Sequence, residues 1–193
     1  PPGPDPTAPQ RPTNPDVLPG PDGMLPELAG IYEMNHDLVG WIYIEGTNIN
    51  NPVVQRKNTR DYYLHRDFYK NYDQNGTIYA REACNVFAPS DVVTLYGHSM
   101  FNGNMFAHVL KYTKWEFFRD HPLIYFDTLY ERHAYQVVCV FRTSATPGEG
   151  FPYHLYDDFA DAAEFQEYIQ GVRGLAIHDS GIPVYYGDEF IQL

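Results

Sequence analysis

The 193 residues predict a mainly β domain closed into a barrel. Three observations carry that expectation. Short runs of strand-forming residues recur at 41–44, 53–55, 77–79, 92–96, 123–126, 134–141, 184–186 and 190–193. Turn chemistry separates them, as at Glu45-Gly46, Asn75-Gly76, 88–91 and Tyr186-Gly187-Asp188. Helical patterns are few and local, whereas an open parallel sheet needs a helix between nearly every pair of strands.

Taken in order, residues 1–23 are dominated by Pro, Gly, Asp and Asn, a composition that favours an extended, semi-rigid spacer over a packed core. The domain proper is expected over 24–193. Leu25, Leu28, Ile31 and Tyr32 fall at helical spacing, and Gly40 is expected to close that segment before the strand Trp41-Ile42-Tyr43-Ile44. Over 104–112, Met105, Phe106, Val109 and Leu110 mark one side of a second helix. Thr113-Lys114-Trp115-Glu116 reads as a capping box opening a short third one. The last helix is expected from Asp157-Asp158, read as its N-terminal caps, to about Gly171, with Phe159, Ala162, Ala163, Phe165, Ile169 and Val172 as its apolar stripe.

Composition narrows the function. With 25 acidic against 13 basic residues and a formal charge of -12, the surface is a poor match for phosphate backbones, so nucleic acid is not expected as a partner. The two cysteines, Cys84 and Cys139, are too few for a disulfide framework or a four-cysteine zinc site. No apolar run approaches the roughly 20 residues of a membrane span. The chain begins at Pro1 without methionine, which suggests a processed piece from which an N-terminal anchor has been removed.

The chemistry converges on one residue. None of the eight histidines forms H-x-H, H-x-x-x-H or H-E-x-x-H spacing, so no metal is expected, and no other cofactor is called for. Nucleophile-elbow, Walker and dinucleotide-binding patterns are missing from the sequence. In VVTLYGHSM, at 92–100, a strand delivers His98 onto Gly97 just where the sequence turns polar. That places His98 at a sheet rim open to solvent and substrate, where an imidazole can serve as acid and base or as an ordinary hydrogen-bonding surface group. Cys139, in the apolar run 135–141, reads as an inert core thiol, and Cys84, in a polar connection, as a thiol with access to solvent. Arg142 reads as a rim charge.

The string YGHSM at 96–100, followed by Asn104-Met105-Phe106, resembles the histidine segment of sortases, the cysteine transpeptidases of Gram-positive cell surfaces, and in detail class B. DLVGWI at 37–42, TNINNPVVQ at 47–55, YYLHRDF at 62–68 and GTIY at 76–79 are similar to class B segments in the same order, so the resemblance runs over about 25–193. The helix before the penultimate strand resembles the helix-bearing loop that distinguishes class B.

The resemblance implies an eight-stranded barrel in which a cysteine, a histidine and an arginine surround one groove. A thiolate attacks the carbonyl of an Asn-Pro-x-Thr-x-like sorting signal near the C-terminus of a secreted protein, histidine moves protons, and arginine steadies the oxyanion. A peptidoglycan cross-bridge amine or a pilin lysine then resolves the thioester. His98 corresponds to the histidine. FIQL at 190–193 matches the family's run up to the leucine of Thr-Leu-x-Thr-Cys, so the cysteine, and after it a strand with the arginine, are expected beyond Leu193. On that reading residues 1–193 alone are inactive and lack the last barrel strand. Leu64 falls where class B enzymes line the signal pocket, Thr143-Ser144 opens the loop into the class B helix, and Phe151 and Tyr153 are expected at the groove. Residues 1–23 become the stalk of an enzyme on the outer face of the membrane. The alternative is a catalytically inactive sortase-like module that binds sorting signals or a surface partner.

Overall fold

The computed structural model describes residues 23–100, 103–144 and 149–193. The expected Pro-rich stalk lies outside the described residues apart from Gly23. Helix α1 (Pro26–Met34) carries Pro26 and Glu27 in its first turn and buries Leu28 and Ile31. It is followed by β1 (Leu38–Tyr43), β2 (Asn50–Val54), β3 (Tyr79–Ala80) and β4 (Val92–Tyr96), then by a 3-10 helix (Phe106–Thr113) and α2 (Trp115–Asp120). Strands β5 (Leu123–Thr128), β6 (Ala134–Gln136) and β7 (Cys139–Phe141) lead to a 3-10 turn (Tyr153–Leu155), α3 (Ala162–Gly174), β8 (Ala176–Asp179) and β9 (Phe190–Gln192).

Seven strands form one sheet in the order β6-β5-β1-β2-β3-β4-β9, and β7 pairs with β8 beside it. The sheet is a nearly closed barrel. Alternation along the strands fills both faces: Ile42, Val53, Leu95 and Phe126 point into the barrel, while Trp41 and Val54 meet Leu28 of α1 and Tyr63 outside it. A third apolar layer packs Phe165, Ile169 and Val172 of α3 against Val92 of β4, Phe190 of β9 and Cys139 and Phe141 of β7, binding the two sheet edges through the helix. Burying Phe165 completely contributes about 2–3 kcal/mol by area.

Five details differ from the sequence expectation. Gly40 lies inside β1, because α1 already stops at Met34, where Asn35 turns extended and its amide donates to the Tyr63 hydroxyl and the Phe68 carbonyl. Asp157 and Asp158 do not cap α3. Asp161 does, accepting from the Ala163 and Glu164 amides, while Asp157 pairs with Arg81 at 2.9 Å and Asp158 accepts from Ser90 and the Asp91 amide. Thr113 makes no capping box, since its hydroxyl donates back to the Leu110 carbonyl. The run 134–141 breaks at Val137-Val138 into β6 and β7. The expected strand at 184–186 is a turn in which the Asp188 carboxylate captures the Tyr185 amide, and its place in the sheet count is taken by β8, directly after α3.

A polar knot ties α1 and β1 to the 61–77 connection. The Asp37 carboxylate accepts from the Tyr63 hydroxyl at 2.8 Å and lies 3.1 Å from Arg56 and 3.3 Å from Lys70. Burial alone pushes the Asp37 carboxyl up, but the Tyr63, Arg56 and Lys70 donors outweigh it and leave it below its ordinary value. A carboxyl held lower in the folded than in the unfolded chain contributes stability above the ordinary carboxylate range and loses it as pH falls through that range. Arg56 and Lys70 are more than a third exposed, so the Tyr63 bond carries most of this. Asp37→Asn is expected to lower unfolding stability by about 1–2 kcal/mol at neutral pH, and urea melts of the two proteins should converge as pH is lowered toward 3. A gap that stays constant with pH would contradict the assignment.

Candidate active site

The site is built at the end of β4. After Tyr96 the chain leaves the sheet at Gly97, where an added Cβ would sit 2.9 Å from the Phe106 ring, so only glycine lets the first turn of the 3-10 helix pack this closely. The His98 carbonyl accepts from the Phe106 amide at 2.8 Å, and Ser99 bridges Met105. These contacts hold the backbone on both sides of the imidazole.

The half-buried His98 ring is oriented from the opposite direction. Its Nε2 lies 2.8 Å from the Leu64 carbonyl oxygen. A carbonyl only accepts, so Nε2 carries a proton, which leaves Nδ1 as the nitrogen able to exchange one. The segment supplying that carbonyl is pinned: the Thr77 amide donates to the Tyr63 carbonyl at 3.2 Å, the Asp73 amide to the His65 carbonyl at 3.2 Å, and the Thr77 hydroxyl to the Arg66 carbonyl at 2.8 Å. Leu64 therefore stands beside His98 through its backbone carbonyl.

The other expected residues form a second group. Thr143 and Tyr153 line a cleft of about 920 Å³ between β9 and the β6–β7 run, together with Tyr135, Cys139, Arg142 and Ile191. His98 and Leu64 do not line it, so this cleft and the imidazole are separate features of the surface. Phe151 stacks on Tyr156 and lies over Gly171 of α3, which makes it a packing residue of the third apolar layer. Tyr153 meets Phe141 edge-on while also facing the cleft. The Ser144 hydroxyl donates to Glu149.

The thiols reverse their expected environments. Cys84 is fully buried, its Sγ donating to the Arg81 carbonyl, and Gln55 and Lys57 fold over the segment to reach the Cys84 carbonyl. Polar neighbours in sequence marked hydrogen bonds to backbone rather than solvent. Cys139 is the half-buried one. Burial pushes both thiols up to about 11, so at neutral pH each is a thiolate only about one part in ten thousand. Neither is equipped as a nucleophile.

Sequence reasoning missed His65. Its ring lies 5.4 Å from that of His98 with an interplanar angle of 25°, and Tyr72 stands 6.5 Å beyond it. No linear spacing relates positions 65 and 98, so only the fold could bring them together.

Comparison with known proteins agrees with this architecture. No family model matches the chain. Sortase B of Listeria monocytogenes is 29% identical over 168 residues, covering 86% of this chain and 65% of that protein. Sortase B of Staphylococcus aureus is 27% identical, covering 87% and 66%. Among solved structures, a Bacillus anthracis protein described as similar to sortase B superposes with a TM-score of 0.79 at 28% identity, over 91% of this chain and 79% of its own. A Staphylococcus aureus sortase B–substrate complex gives 0.79 at 27% identity, over 87% and 75%. In sequence and in fold the chain is similar to class B sortases. It spans slightly less than two thirds of the length of these two curated sortases. Among the described residues, no helix is long and apolar enough to cross a membrane.

Proposed function

We propose that the chain forms the catalytic barrel of a cysteine transpeptidase that cleaves an Asn-Pro-x-Thr-x-like sorting signal and joins the secreted protein to a peptidoglycan or pilin amine. His98 is the acid–base residue. With Nε2–H given to Leu64, Nδ1 accepts a proton to leave the nucleophile as thiolate. It returns that proton to the amine expelled when the thiolate attacks the scissile carbonyl. The resulting thioester is attacked by the acceptor amine, whose proton passes to Nδ1 as the new amide forms and the thiolate is released.

The observation that carries this reading is the pairing of β4 with β9. The strands run parallel, with Val92 opposite Phe190 and Thr94 opposite Gln192. Continued unchanged, that register brings the third residue after Leu193 beside His98, where the family resemblance expects the cysteine. The active enzyme on this reading includes that residue and the arginine strand after it. Thr143 and Tyr153 belong to the groove, and Leu64 to the signal pocket as well as to His98. Phe151 and Ser144 support the loop that carries Tyr153. The enzyme acts on the outer face of the membrane, with residues 1–23 as its stalk and an anchor before them. A module that only bound signals would have no use for an imidazole with one nitrogen tied down and the other left basic.

The test is incubation of the natural full-length enzyme with a fluorogenic Asn-Pro-x-Thr-x peptide and a small peptide amine, with products read by mass spectrometry. Cleavage with transfer to the amine is expected. Binding of the peptide with no cleavage and no covalent adduct would overturn the proposal in favour of the binding module.

A further inference from the structure

The segment 64–65 touches His98 twice. The Leu64 carbonyl takes Nε2–H at 2.8 Å, and the next residue, His65, lays its ring along the His98 ring at 5.4 Å and 25°. One contact engages the protonated nitrogen and the other opposes rotation of the ring plane. His65 is itself held in place. Its carbonyl accepts from the Asp73 amide, Arg66 beside it bridges Tyr72 and donates to the Tyr62 carbonyl, and the Tyr72 ring lies 6.5 Å from its own. Both His65 and Tyr72 are exposed, and Tyr72 is 82% accessible. Large rings kept at the surface beside the candidate catalytic imidazole are not explained by core packing.

We propose that His65 is a positioning residue for His98: its ring, backed by Tyr72, holds the His98 imidazole in the plane in which Nε2–H meets the Leu64 carbonyl and Nδ1 is free to exchange protons. The role is that of a flat aromatic surface and does not require His65 to accept or lose a proton. It deepens the transpeptidase reading and depends on it where turnover is concerned, but not where the state of the His98 ring is concerned.

The first measurement follows the ring nitrogens of His98 by long-range proton–nitrogen correlation spectroscopy in the labelled 193-residue chain, as wild type, His65→Ala and His65→Phe. In the wild type one nitrogen should read as protonated and the other as a bare acceptor. In His65→Ala the two signals are expected to move toward each other as the ring samples both tautomers, and in His65→Phe to return. In the natural full-length enzyme His65→Ala is expected to lower kcat about two- to tenfold, the worth of one aromatic pair, with KM within about twofold. His65→Phe should recover most of the loss. Unchanged His98 nitrogen signals in His65→Ala would overturn the proposal, and so would a phenylalanine variant as impaired as the alanine one. A full-length enzyme that stays active without His98 removes the acid–base assignment of His98 and leaves the spectroscopic comparison to decide the positioning role.

Discussion

Replacing His98 with alanine in the full-length enzyme is expected to abolish peptide cleavage while leaving the fold standing. On the proposed mechanism the side chain moves a proton in both half-reactions, and a general acid–base group contributes about 10²–10⁴ in rate for each step it serves. When it acts as a unit with a nucleophile, its loss approaches the loss of the whole apparatus. The structural cost is small by comparison. The half-buried ring gives up one hydrogen bond, to the Leu64 carbonyl, worth about 1 kcal/mol, and water can replace it. A domain of this size loses about 2–4 °C in thermal midpoint per kcal/mol. Calorimetry and a cleavage assay on the same preparation therefore separate the two effects. Cleavage near the wild-type rate would sink the assignment of His98, and a collapse in midpoint would mean that its role is structural.

How far the sequence disclosed this molecule depended on whether the deciding interaction was local. The strand runs at 41–44, 53–55 and 92–96, the Asn75-Gly76 turn and the rim position of His98 were all legible, because alternation and turn chemistry act between neighbours. β8 was not: Ala176-Ile177-His178-Asp179 has little strand character, and His178 is drawn in by Trp115 and Phe118 from distant elements. The 184–186 run failed the other way. Its composition suits a strand, but Pro183 precedes it and Asp188 takes its amide. Likewise the caps of α3 were misplaced by a few residues, since Asp157 is claimed by Arg81 from another part of the chain. At the candidate site, the rim position of His98 was legible and the groups around its ring were not. Leu64 meets the ring through a carbonyl, which no side-chain pattern reveals, and His65 reaches it from 33 positions away in sequence.

That dependence on the Leu64 carbonyl gives Gly76→Ala its expected effect, both on stability and on the site. Gly76 has φ of +63°, in the left-handed region, and a Cβ there would fall 2.4 Å from the Leu64 carbonyl oxygen and 2.6 Å from that of Tyr63. Both neighbours are backbone atoms, so neither can rotate away. The 63–64 segment would have to retreat, stretching the Thr77 amide bond to Tyr63 and drawing the Leu64 carbonyl off His98. Left-handed alanine costs about 1–2 kcal/mol, and forcing a Cβ into a packed contact adds about 1–3. A loss of about 2–5 kcal/mol, roughly 4–20 °C in midpoint, is expected. Gly76→Asn divides the causes, because asparagine tolerates the left-handed region but brings the same Cβ. If the close approach dominates, both variants melt well below wild type and both lower kcat when assayed at a temperature where they are still folded. If backbone conformation dominates, asparagine recovers most of the stability and the activity. A midpoint for Gly76→Ala within about a degree of wild type would show that the segment yields freely, and with it that the carbonyl is not a fixed support for the imidazole.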